Sequence, residues 1–180
     1  MNKNVIFALF TIFLVACAGE LTPQEARETL ALQEEFTSPF YAPIHLAPQV
    51  LTGENHTDPK AFIRRKYGKL IDTGLIEAKL GSSNSWRTIL KLEMTDKGQA
   101  LVNKERSLDD MYYVQACRIA VDSVLCLTPV GSDTILCRYQ LSQKDLTPFG
   151  EYLGFTTAHT HFLDRKFVRS TFSWDLVPMF

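Results

Sequence analysis

The chain has 180 residues, 46% of them hydrophobic and 22% charged, with a formal net charge of −1 at pH 7. That length holds one domain, or one domain with an appendage, and the hydrophobic content is ordinary for a globule. The near-neutral charge excludes nucleic-acid binding by bulk electrostatics, which needs a clearly basic face.

The chain opens on a short basic start at Lys3 and an apolar run from Val5 to Leu14, followed by Leu14-Val15-Ala16-Cys17. The run is too short for a transmembrane helix, which needs about 20 apolar residues. A basic start and an apolar stretch also occur in ordinary secretory peptides, but the cysteine directly after Leu-Val-Ala separates the classes. A buried core helix would need a polar face, and the run offers only Thr11. The tetrapeptide resembles the lipobox of bacterial lipoproteins. The resemblance implies that residues 1–16 are a signal peptide, that Cys17 is the first mature residue and the lipid attachment site, and that 17–22 form a lipidated tether. Ala18 stands where aspartate often acts as an inner-membrane retention signal. Its presence points to the outer membrane of a Gram-negative cell, facing the periplasm.

Thr22-Pro23-Gln24-Glu25 reads as a helix start, with Thr22 as N-cap, Pro23 at the first position and Glu25 completing a capping box. Ala26, Leu30, Ala31 and Phe36 form an apolar stripe at helical spacing. Pro39, Pro43 and Pro48 make 38–48 extended or turning. Asp58-Pro59 opens a second helix, with Phe62, Ile63, Tyr67, Leu70 and Ile71 on one side, ended by Gly74. Strands are expected over 75–80 and 86–94 around the loop 81–85, then a third helix capped by Thr95 and running to about Arg106.

Residues 58–106 resemble a winged-helix domain through Leu70-Ile71-Asp72-Thr73-Gly74-Leu75-Ile76-Glu77 and Leu90-Lys91-Leu92-Glu93-Met94-Thr95-Asp96-Lys97-Gly98. The first segment reads as a recognition helix entering the wing, the second as the returning strand with a T-x-x-G helix start. Winged helices usually bind DNA, and Arg64-Arg65-Lys66 with Lys69 would be the instrument. Phosphate contacts dominate DNA affinity, but an exported, lipid-bearing chain meets no chromosome. The basic positions are read as a solvated helix face, with anionic headgroups or an acidic partner as the functional alternative.

Tyr112–Leu127 and Thr134–Leu141 alternate as a β-hairpin around a turn at 128–133. Cys117, Cys126 and Cys137 leave an odd thiol in an oxidising compartment, so one disulfide plus one free thiol is expected, of unknown pairing. Parity sets Cys126 on the face opposite Cys137, which disfavours that close pair. The spacing is unlike a zinc ribbon.

Cys117-Arg118-Ile119-Ala120-Val121-Asp122-Ser123-Val124, Thr128-Pro129, Arg138-Tyr139 and Thr147-Pro148-Phe149 also resemble a loose group of uncharacterised secreted and lipid-anchored bacterial domains. There a winged-helix-like block precedes a β-hairpin. Arg118 and Phe149 depart from the group's pattern. Residues 144–155 read as a loop with a helical turn, and 165–180 as one or two strands. The terminal alternation through Phe180 resembles the closing strand of outer-membrane barrels, but a barrel needs at least eight such strands.

The expected fold is therefore α+β: a helical, winged-helix-like block with a β-hairpin wing over 23–110, and a small antiparallel β unit over 111–180 packed on it. His159-Thr160-His161 is the best candidate metal pattern, because alternate strand residues point the same way. A third ligand would come from His45, His56, Asp164 or a cysteine. No nucleophile elbow, phosphate loop or paired carboxylates stand out. These readings lead to a non-catalytic binding or assembly accessory held at the outer membrane through Cys17, with an envelope protein as possible partner and no cofactor. The alternatives are a periplasmic metal-binding protein or metal-dependent enzyme using His159 and His161, and a secreted effector or immunity-type protein.

Overall fold

A computed structural model describes residues 19–178. Leu14-Val15-Ala16-Cys17 and the terminal Phe180 lie outside the described residues. The first helix, α1 (Pro23–Ala31), starts as its cap dictates. Thr22 Oγ1 accepts from Glu25 N at 3.2 Å, and the Glu25 carboxylate accepts from Thr22 N at 2.9 Å. These bonds, the backbone one foremost, hold the Glu25 carboxyl below the usual carboxylate range. Ala26 and Leu30 turn inward, and the one-turn helix α2 (Glu34–Thr37) delivers Phe36 edge-on to Tyr139.

The proline-rich stretch becomes strand β1 (Pro39–His45), followed by β2 (Gln49–Thr52), the single turn α3 (Glu54–Thr57) and α4 (Pro59–Asp72). Asp58 caps α4 by accepting from Ala61 N at 2.9 Å, and the chain leaves it through Gly74 at φ 71°. Strands β3 (Ile76–Ser83) and β4 (Arg87–Met94) form the expected hairpin, but β2 joins it in a three-stranded sheet of order β2-β4-β3.

The third helix expected from Thr95 to Arg106 is one turn, α5 (Asp96–Gln99), after which the chain becomes β5 (Val102–Leu108). Strand pairing overrides helix propensity there: Gln115 N donates to Leu101 O at 2.7 Å, and Val102 and Asn103 lie opposite Val114 and Tyr113. The winged-helix-like helical block is thereby overturned. Among the described residues the helices beyond α4 and α1 are single turns, and 48% of those residues are strand and 25% helix, in a fold built on a curled antiparallel half-barrel. The winged-helix expectation failed because its motifs encode a hairpin with helical turns at its ends, and not the helices that would pack into a bundle.

The half-barrel is formed by β1, β5, β6 (Met111–Pro129), β7 (Thr134–Lys144), β8 (Thr160–Arg169) and β9 (Trp174–Leu176), with the turn α6 (Pro148–Tyr152) between β7 and β8. Its order is β1-β6-β7-β8-β9, and β5 pairs with β6. The first half of β6 pairs with β1, and its second half continues into the β7 hairpin, with register shifts at Val121/Ser123 and Val124/Cys126. Bulges increase local twist and bend a strand, which lets one long strand serve two cores. One core packs Tyr67 and Leu70 of α4 with Leu51, Ile76, Leu90, Val114 and Phe149. The other packs α1 and Phe36 into the hollow of the half-barrel, against Val121, Cys137, Tyr139, Leu141 and Phe167.

One closing device appears twice. Thr95 N donates to Leu75 O at 3.1 Å, Thr95 Oγ1 donates to Gly74 O at 2.7 Å, and the same hydroxyl accepts from Gly98 N at 3.1 Å. Thr147 repeats this with Ala116 O at 2.9 Å, Gln115 O at 2.6 Å and Gly150 N at 3.1 Å. Each glycine presses so closely on the strand that a β-carbon would lie 2.1 Å from the carbonyl oxygen of Leu75 or Ala116. A side chain at either position would lift the turn from the strand.

Candidate functional site

Cys17 lies outside the described residues, but the start of the described chain is firmly placed. Leu21 is 7% exposed and belongs to the second core, and Trp174 Nε1 donates to Gly19 O at 2.9 Å. Gly19, Glu20, Glu25, Thr29, Phe172 and Trp174 are among the residues lining a groove of about 250 Å³ beside this point. Phe172, at the β8–β9 turn, is 76% exposed. The turn is tied by Ser173 N donating to Ser170 Oγ at 3.2 Å and Ser170 N donating to Ser173 O at 2.9 Å.

His159 and His161 come together, with ring centroids 4.7 Å apart. Of the residues named as third ligands, Asp164 and His56 are engaged elsewhere and His45 lies on another strand. Asp164 takes a bidentate pair of bonds from Arg138 at 2.8 and 2.9 Å, which holds its carboxyl below the usual range. His56 Nδ1 lies 2.8 Å from Thr88 Oγ1, and His45 sits on β1 opposite Met111. Among the described residues no three His, Cys, Asp or Glu side chains converge as metal ligands.

Cys117 and Cys137 are buried thiols and Cys126 is an exposed one, so the expected disulfide is not formed. The reason is the ladder, on which Cys117 lies ten residues before Leu127, the partner of Cys137. Cys137 lies opposite Leu127, and Cys126 lies opposite Arg138, which puts the two sulfurs on opposite faces of the hairpin. Burial raises the Cys117 thiol and pushes Cys137 up to about 11. A thiol so raised is a poor nucleophile at neutral pH.

The basic residues of α4 are largely partnered. Arg64 meets Asp72 at 3.3 Å, Arg65 donates to Asn55, Lys69 pairs with Glu151, and Lys66 lies over the Phe62 and Tyr67 rings. A groove of about 340 Å³ runs between α4 and β3, floored by Ile63, Ile71 and Ala78. A wider one, of about 580 Å³, follows the edge strand β1 and is lined by Phe40, Tyr41, Tyr113 and Arg106, with Glu34 and Glu35 at its rim.

The sequence reading missed a polar cluster inside the half-barrel. Arg165 is 6% exposed; its Nη2 reaches Glu35 Oε1 at 3.3 Å, while Nε and Nη1 find no hydrogen-bond partner among the described residues. Tyr139 beside it is fully buried with an unpartnered hydroxyl, and burial pushes it up to about 12. The signal was present in β8: Arg165 shares parity with Phe167, which is fully buried in the same core.

No helix among the described residues is long and apolar enough to cross a membrane. Comparison with known proteins finds no matching family model, curated protein or solved structure.

Proposed function

We propose that this chain is a lipid-anchored protein of the bacterial cell envelope, held through the Cys17 sulfur and serving as a non-catalytic binding or assembly accessory at the periplasmic face of the outer membrane. The observation that carries this reading is the apolar run closing on Leu14-Val15-Ala16-Cys17, four residues before Leu21, the first buried side chain among the described residues. That spacing suits a globule tethered directly to its anchor. Diacylglycerol on the sulfur with an acyl chain on the amino terminus gives more than the single chain that anchors only marginally. The groove along β1 supports the binding role. It brings aromatic rings and both signs of charge to a sheet edge, and Pro39 and Pro43 remove two backbone donors that would otherwise pair with any passing strand.

The test is intact mass and cell fractionation of the native protein beside Cys17→Ser. A lipid-sized mass increment and membrane recovery, both lost in the variant, support the reading. An unmodified chain recovered in the soluble fraction overturns it. With the anchor established, envelope pull-downs comparing the parent with Phe40→Ser test the β1 groove as the binding surface.

A further inference from the structure

We propose that the β8–β9 turn carrying Phe172, with Trp174 behind it, lies in the headgroup region of a zwitterionic phospholipid bilayer and fixes the orientation of the globule on the membrane. This rests on the lipid-anchor reading. Cys17 is two residues from Gly19, so its Cα lies within about 8 Å of the Gly19 Cα whatever path the chain takes. Gly19 is itself pinned by the 2.9 Å bond from Trp174 Nε1. A lipid carried two residues before Gly19 is therefore tethered close to this turn and to the start of α1 that shares its groove.

What stands there suits a bilayer surface. Phe172 projects 76% exposed from a turn whose serine bonds hold it in place, so presenting the ring to lipid orders little that is not already ordered. Trp174 is half-buried, with the Arg169 guanidinium 5.7 Å from its ring centroid. Indole is enriched at the membrane–water interface, where an apolar ring and a polar edge are both accommodated. Glu20 and Glu25 line the same groove. With Arg169 they leave no basic excess, so the apolar side chains carry the contact and anionic lipid is not required.

The experiment uses the full lipid-modified chain with Trp86→Phe, which leaves Trp174 as the only indole, reconstituted in phosphatidylcholine–phosphatidylethanolamine vesicles whose acyl chains carry bromine. Trp174 emission is expected to be quenched by the bromines and insensitive to salt. Adding Phe172→Asp is expected to abolish the quenching while the protein stays on the vesicles through its lipid and keeps its circular dichroism. Lipid-modified, vesicle-bound protein with unquenched Trp174, or with quenching untouched by Phe172→Asp, overturns the docking and leaves the anchor standing. A chain whose mass carries no lipid and that does not bind vesicles overturns both.

Discussion

Gly150→Ala tests whether the turn α6 is clamped to β6. The added β-carbon would stand 2.1 Å from Ala116 O, 2.9 Å from Ala116 C and 2.9 Å from Leu146 Cδ1. Carbon and carbonyl oxygen ordinarily approach to about 3.3 Å, so the turn must retreat by about 1 Å. Two of the three clashing atoms are backbone, so no side-chain rotation relieves them. Retreat stretches the bonds from Thr147 N and Oγ1 to Ala116 O, now 2.9 and 3.2 Å, and withdraws fully buried Phe149 from its core. Overpacking of this kind costs about 1–3 kcal/mol, and a weakened N-cap adds about 1 kcal/mol. A net loss of about 3 kcal/mol lowers Tm by roughly 6–12 °C in a chain of this size. Gly131→Ala is the control. Its φ is not positive and its nearest neighbour, Thr134 Cβ, is 4.0 Å away, so it should be neutral or gain about 0.5 kcal/mol from a stiffer unfolded chain. Urea unfolding followed by far-UV circular dichroism separates the two, and coincident midpoints would refute the clamp.

Three further outcomes follow from the interior. Arg165→Met should leave stability unchanged or raise it by about 1 kcal/mol, because it removes a buried charge with two unpartnered nitrogens and leaves Glu35 able to reach water; a midpoint loss above about 2 kcal/mol would show that the ion pair outweighs its desolvation. Burial holds Cys137 up to about 11 and Tyr139 and Tyr152 up to about 12, above their ordinary values of 9.0 and 10.0. The unfolded chain then binds fewer protons than the folded one from about pH 9 upward, so stability is fully present below that pH and falls as pH rises through the folded values; a thermal midpoint flat from pH 8 to 11 contradicts this. Native protein should react with a thiol reagent at exposed Cys126 long before Cys117 and Cys137, and denaturant should equalise the three. Equal rates in the native state would place the buried thiols at the surface.

Local signals were legible wherever a single residue type settles the backbone. Thr22-Pro23 and Asp58-Pro59 start helices, Gly74 ends one, and the turns near 81–85 and 128–133 fall between paired strands. What escaped was set by tertiary pairing. The bulges at Val121/Ser123 and Val124/Cys126 break the two-residue period of β6, so Leu125, which shares parity with buried Val121, is 48% exposed, while Leu127 lies opposite Cys137. Strand β5 was read as helix because Ala100, Leu101 and Val102 suit either period over so short a run. Arg165 was passed over because a charge is seldom fully buried, although its parity with Phe167 placed it inside. The histidine pair was found, but that no third ligand joins it among the described residues depends on Asp164 and His56 being bonded to Arg138 and Thr88, which only the fold decides.

The T-x-x-G pattern shows why a fold was inferred that the chain does not have. At Thr95–Gly98 it was read as the first turn of a helix in a winged-helix block, yet the same pattern at Thr147–Gly150 closes a longer hairpin in the half-barrel with the same bonds. In both places the threonine hydroxyl caps one helical turn and also reaches the carbonyl that faces the glycine, Leu75 O just before β3 at 3.1 Å or Ala116 O within β6 at 3.2 Å. Glycine is required three residues later because that carbonyl occupies the space of a β-carbon. The pattern therefore specifies a latch between the two ends of a hairpin, and it is indifferent to what lies beyond the turn. After Gly98 the chain enters β5, and after Gly150 it passes through Gly154 at φ 87° toward β8. Because β6 carries the second latch and also lends side chains to both cores, that latch pins α6, and Phe149 with it, to the strand the two cores share.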